Sequence, residues 1–229
     1  MRGALLLSAE KNLFCPRNWE RLPFVPSTSI EELLARFEQC GYRAAIIGQK
    51  GRGKSALKNA LVSALKCRPK ISVSDRLLRE DSSFSEKCEV ALAPLSLWWA
   101  TPRLGRAFLV LDGYEQLSRP LRALLLLLSR MCGGLLVVSH QETALPTLHR
   151  CETSFSLFAT LLSRVDTGHV IPTAVAQAAY DRSFGDIRQA FRYLYDWFAL
   201  YGLTRETPPP STSICVDDTV SARPRTAMS

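Results

Sequence analysis

The sequence predicts an α/β fold: a parallel sheet flanked by helices, followed by a small helical lid. Three observations carry that prediction. Short strand-like runs at 43–47, 106–111 and 135–138, the first two apolar after a leading Arg, alternate with helical periodicity, as strands buried on both faces should. A Gly-rich turn joins the first run directly to a helix, and beyond about Thr153 the strand signals stop. A chain of 229 residues has room for one good-sized domain with a satellite, and 47% hydrophobic with 22% charged residues is ordinary globular composition.

Each element follows from local pattern. Ser27-Thr-Ser-Ile, then Glu31, Glu32, Leu33, Leu34 and Phe37, reads as a capped helix ending near Gly41. Arg43–Ile47 is the first strand, and Gly48–Gly53 forms the turn. Ala56, Leu57, Ala60, Leu61, Ala64 and Leu65 then place one apolar stripe on a helix over Lys54–Cys67. Ile71–Val73 suggests a short strand. Arg106–Leu111 is a buried strand ending at Asp112, Leu121–Met131 an apolar helix, and Leu135–Val138 a third strand stopping at Ser139-His140. Thr153–Val165, Thr173–Arg182 and Asp186–Tyr201 read as the helices of the lid, with the aromatics around Phe191 and Trp197 forming its core. The Pro- and Ser-rich end cannot bury enough apolar surface to offset ordering entropy. The expected organisation is an N-terminal linker (1–25), an α/β core (26–151), the lid (152–203) and a disordered tail (204–229).

A formal charge of +8 first suggests anionic partners such as nucleotides, nucleic acid or membrane surfaces. The excess is confined to residues 42–70, where Arg43, Lys50, Arg52, Lys54, Lys58, Lys66, Arg68 and Lys70 meet no acidic residue. Seven cysteines occur singly and the histidines are 140, 149 and 169, a pattern suggesting neither a zinc site nor a disulfide framework. His140 and His169 read as surface or cap residues. The apolar run in the first twelve residues is too short for a secretory signal. No stretch reaches the ~18–20 residues needed to span a bilayer. The expected location is cytoplasmic and reduced, with no membrane partner.

The chemistry is concentrated in Gly48-Gln49-Lys50-Gly51-Arg52-Gly53-Lys54-Ser55, which fits GxxxxGK[ST] at every fixed position. Glycines let the backbone approach a phosphate closely, so successive N–H groups and the following helix N-terminus face the anion. Lys54 would place its charge on the terminal phosphates, and Ser55 would offer an oxygen to Mg²⁺. This makes the predicted fold the P-loop NTPase variety of α/β sheet, with ATP and Mg²⁺ as cofactors. Neither an NKxD motif nor a DxxG after the strand favours guanine. Asp112, ending a buried strand, reads as the second metal-side residue or as a helix N-cap. Glu115 reads as the catalytic carboxylate or a helix-start Glu. Ser139 either contacts the γ-phosphate and attacking water or caps its strand. Trp98 and Trp99 read as buried anchors or an interface.

The stretches GQKGRGKS, LVLDGYEQL, LLVVSHQ, His149-Arg150-Cys151 and Gly185-Asp186-Ile187-Arg188 follow the order used by AAA+ ATPases. Over roughly residues 12–201 the chain resembles the branch with clamp loaders and replication initiators, and small uncharacterised bacterial ATPases with a DGYEQL-type Walker B. The resemblance implies that Ser139 is the sensor-1 residue, that Arg150 reaches a neighbour's γ-phosphate, and that Arg188 is the sensor-2 arginine of the lid. It also implies that part of Asn12–Val25 lies near the base. A guanidinium suits these places because phosphoryl transfer spreads charge over several oxygens. Two departures stand out: no Glu directly follows Asp112, and His149 replaces the Ser of the clamp-loader pattern. They imply slow hydrolysis and an unassured ring.

An Mg²⁺-dependent ATPase is therefore the leading expectation. An ATP-gated interaction module with little turnover and a DNA-associated ATPase are the alternatives. A small-molecule kinase would need an acceptor pocket that the sequence does not reveal. A second copy or another protein remains open as partner, while nucleic acid lacks a recognition motif.

Overall fold

The computed structural model describes residues 12–19, 28–69, 71–100 and 107–201. The tail from 204 and residues 20–25 of the segment expected near the base lie outside the described residues. In chain order the elements are α1 (Pro16–Trp19), α2 (Ile30–Gln39), β1 (Arg43–Ile47), α3 (Lys54–Lys66), β2 (Ser72–Leu77), α4 (Phe84–Ala100) and β3 (Ala107–Asp112). There follow α5 (Arg119–Leu128), β4 (Gly134–Ser139), β5 (Thr147–Arg150), α6 (Phe155–Val165), α7 (Thr173–Arg182) and α8 (Ile187–Tyr201).

The five strands form one parallel sheet in the order β2-β3-β4-β1-β5. Side chains alternate across it, as a pleated strand demands. Ala44 and Ile46 of β1 join Phe108, Val110, Leu136 and Val138 under α2 and α3, against Leu33, Phe37, Leu57, Leu61 and Leu65. Ala45 and Ile47 join Leu109, Leu111, Leu135 and Val137 on the opposite face, against Val90 and Ala93 of α4 and Leu125 of α5. Each fully buried aliphatic side chain contributes about 1.5–3 kcal/mol, so the sheet interior is the main source of stability. The expected parallel α/β layer with flanking helices is what forms.

The helix over Ile30–Gln39 starts where its cap dictates, with Ser29 Oγ accepting from Glu32 N at 3.1 Å. The 17-residue α4 has no counterpart in the sequence prediction. Its apolar residues fall on all sides and Pro94 sits inside it, so it carries neither a stripe nor an uninterrupted run. Its C-terminal end leaves Trp99 81% exposed and Trp98 half-exposed, which removes the buried-anchor alternative for this pair.

The third cluster joins α6, α7 and α8 through Phe158, Leu162, Ala176, Ala179, Ala190, Phe191, Leu194 and Phe198. Phe14 and Trp19, from the segment expected to be a linker, complete it. Trp19 stacks on Phe191 with centroids 5.6 Å apart, and Asn12 Nδ2 donates to Tyr195 O at 2.9 Å. The aromatic stripe of α8 supplies Phe191 and Phe198 to this core, with Tyr193, Tyr195 and Trp197 packed at its edge.

Candidate functional site

The C-terminal tips of β1, β3 and β4 lie side by side, the end of a parallel sheet at which ligands bind in open α/β folds. The Gly48–Ser55 loop leaves β1 here, and its end is set by Gly53, which adopts φ +81° as the N-cap of α3. Gly51, at φ +73°, leaves no room for a side chain: a Cβ there would lie 1.9 Å from Asp186 Oδ1. Asp186 caps α8 by accepting from Gln189 N at 3.0 Å, so the lid's last helix begins against the loop. Arg52 ties the same two parts together, donating from Nη2 to Gln49 Oε1 at 2.9 Å and to Phe184 O at 3.2 Å.

Between loop and lid lies a cleft of about 1180 Å³. Lys50, Gly51, Arg52, Gly53, Lys54 and Ser55 line one end with Asp112 and His140; Arg150 and Arg188 enter from β5 and α8. The lid side adds apolar Trp19, Leu157, Leu161, Ile187 and Phe191 together with polar Thr153, Ser154, Ser156 and Thr160. The volume is somewhat above that of ordinary small-ligand sites, and a lining with both cationic and apolar side chains suits an amphipathic anion.

Lys54 is only 8% exposed. Its Nζ donates to Gln49 O at 2.8 Å and lies 2.9 Å from His140 Nδ1. An ammonium has no acceptor, so this contact puts the proton of a neutral imidazole on Nε2. Burial lowers the Lys54 pKa, the nearby Arg188 charge acts in the same direction, and the thiol of Cys151 with the carboxyls of Glu115 and Asp112 opposes them.

Asp112, at the tip of β3, sits 3.7 Å from Lys58 Nζ through Oδ2. Glu115 lies in a 3₁₀ turn over Tyr114–Gln116. Its Oε2 accepts from His140 N at 3.3 Å and its Oε1 lies 3.6 Å from His140 Nε2. Glu115 is not among the cleft-lining residues, whereas its contact partner His140 is. Ser139 is buried, and its Oγ accepts from Gln141 N at 3.0 Å, the strand-end cap geometry. Arg150 is exposed at the cleft rim and paired to Glu142.

Thus the loop, Asp112, Arg150 and Arg188 converge on one cleft, with Glu115 and Ser139 behind it. Sequence reasoning read His140 only as a surface or cap residue and gave Lys58 no role, whereas the structure pairs them with Lys54 and Asp112. His140 could have been found from its place at a central strand tip, whereas Lys58 offered only its spacing of four residues from Lys54. A metal here would find Asp112 and Ser55 in the same wall. Among the described residues no group of three His, Cys, Asp or Glu side chains gathers anywhere. One carboxylate and one hydroxyl, with phosphate and water completing the shell, is a donor set that suits Mg²⁺.

No family model matches the chain, and no curated protein matches it. Among the described residues no helix is long and apolar enough to cross a membrane.

Proposed function

We propose that the chain is an Mg²⁺-dependent ATP-binding protein that hydrolyses ATP to ADP and phosphate in an AAA+ type conformational cycle. The observation that carries this reading is the convergence of Lys54, Asp112 and Arg188 on the cleft bounded by the Gly48–Ser55 loop. The loop would hold the phosphates, Lys54 would leave His140 for the terminal phosphate, and Asp112 with Ser55 would hold Mg²⁺. The ion, when bound, would neutralise charge on the phosphate oxygens. Arg188, on the lid helix, would add a guanidinium from the other wall. Trp19 and Phe191, which line the same cleft, suit a purine, in keeping with the base-side role that the AAA+ resemblance gives the N-terminal segment.

A second reading, an ATP-gated interaction module with little turnover, is favoured by one feature. Glu115 is held by His140 outside the cleft wall, where it would not meet a water beside the terminal phosphate without a shift.

Calorimetric titration with Mg-ATP, paired with phosphate release, tests both. Lys54→Ala should weaken binding by about ten- to a hundredfold, the loss of one charge-assisted contact of about 1.5–3 kcal/mol. Binding equal in wild type and variant would sink the nucleotide reading. Tight binding with phosphate release no faster than the variant's would select the gated module over the ATPase.

A further inference from the structure

One turn beyond Lys54 on α3, Lys58 is equally buried, at 8% exposed, yet it is not part of the cleft wall. Its Nζ donates to both oxygens of Asp75 at 3.1 Å and lies 3.7 Å from Asp112 Oδ2. The two carboxylates come from adjacent strands. In the β2–β3 register Asp75 stands opposite Val110 and Leu77 opposite Asp112, so Asp75 and Asp112 sit two positions apart on one face of the sheet. The ammonium lies behind Asp112, away from the cleft, and is shared between a carboxylate facing the ligand space and one that does not line it.

A buried ammonium has a large desolvation cost, which two carboxylates offset. The arrangement does more than satisfy that cost. Charge that Lys58 places on Asp112 is charge a divalent cation must compete with, and charge that Asp75 withdraws from Lys58 is returned to Asp112. We propose that Lys58 is a positioning residue that sets the divalent-cation requirement of Asp112, with Asp75 as its counterweight. The inference rests on the Mg-ATP reading and deepens it: Lys58 weakens the ion's hold, and Asp75 moderates that weakening. Neither side chain touches nucleotide or ion.

The two partners therefore have opposite signs, which a purely structural ion pair would not give. The full chain is titrated with ATP by equilibrium dialysis across a series of Mg²⁺ concentrations, and the Mg²⁺ midpoint for nucleotide binding is the readout. Lys58→Met should lower the midpoint about tenfold, because Asp112 then carries its whole charge. Asp75→Asn should raise it about three- to tenfold, because Lys58 then turns wholly to Asp112. In the Lys58→Met background Asp75→Asn should raise the midpoint less than it does alone, since only the direct charge of Asp75 then acts. Circular dichroism confirms folding of each variant. If Lys58→Met does not fold, Asp75→Asn, at a half-exposed position, decides alone by the rise of its midpoint.

Midpoints within twofold of wild type, or shifts of the same sign in both single variants, overturn the role of Lys58 and leave the Mg-ATP reading standing. Wild type that binds no ATP at any Mg²⁺ concentration overturns both.

Discussion

The sheet and the lid are built from different materials. Around β1, β3 and β4 the packing is aliphatic, with Phe37, Tyr42 and Phe108 gathered at one end, and the strands are laced by parallel ladders. The lid has no ladder. It is held by rings: Phe158 packs edge-on to Phe191, Trp19 stacks on Phe191, and Phe14 meets Phe198 edge-on at 5.7 Å. Two of those rings come from the opposite end of the described chain, so a distant segment completes the lid's core. A ladder-bonded layer opens cooperatively, whereas a ring-packed layer joined through a few side chains can open by itself. The cleft lies where the two kinds of packing meet.

The largest test of this contrast is Phe191→Ala, expected to cost about 3–5 kcal/mol through the cavity left among Phe14, Trp19 and Phe158. Hydrogen exchange should then show α6–α8 losing protection while the amides of β3 and β4 keep theirs. Equal loss in both layers would mean that they unfold as one unit and would dissolve the distinction. A smaller effect is expected from Asn12→Ala, about 1–3 kcal/mol. The buried side chain accepts from Phe14 N at 2.9 Å and donates to Tyr195 O, so its removal leaves both without that partner. Denaturant melts should show a lid transition moving ahead of the core.

The smallest effect is at Cys151, which leaves β5 and lines the cleft. Burial pushes its thiol up to about 11 from an ordinary 9.0, with Lys54 opposing. The folded state therefore holds this proton more tightly than the unfolded one. The contribution is fully present below about pH 9 and is lost as pH rises from 9 through 11. At pH 8 iodoacetamide should modify exposed Cys67 and leave Cys151 intact. Rapid reaction at Cys151 would show the cleft wall opening more readily than the sheet behind it.

How much was legible in the sequence follows the same line. The central strands could be read because both faces are covered and their interiors, Ala44–Ile47, Ala107–Leu111 and Leu135–Val138, are apolar throughout. The edge strands could not: in β5 only Leu148 is fully buried, and β2 runs well past Ile71–Val73 into the exposed Asp75, Arg76 and Leu77. An exposed strand held by backbone bonds leaves little hydropathy trace. The Gly48–Ser55 motif is local, so its place as the turn between β1 and α3 could be read from the sequence. The contacts that complete the site join residues far apart, as Lys54 to His140 and Lys58 to Asp75 and Asp112, and spacing along the chain does not announce them. The lid's helices were plain from periodicity, but Phe14 and Trp19 gave no sign of belonging to them, because a four-residue helix has no stripe to read.

Trp19 gives the molecule a property of another kind. The indole is almost wholly buried, stacks at 7° on Phe191, donates from Nε1 to Phe14 O at 3.0 Å and yet forms part of the cleft wall. Trp98 and Trp99 stand in solvent contact at the end of α4, in a different part of the fold. An occupant beside Trp19 would touch the buried indole, with Trp197 of the same lid core adding to that signal, and leave Trp98 and Trp99 unchanged. The chain thus carries its own optical gauge of cleft occupancy, with an internal reference, and needs no attached dye.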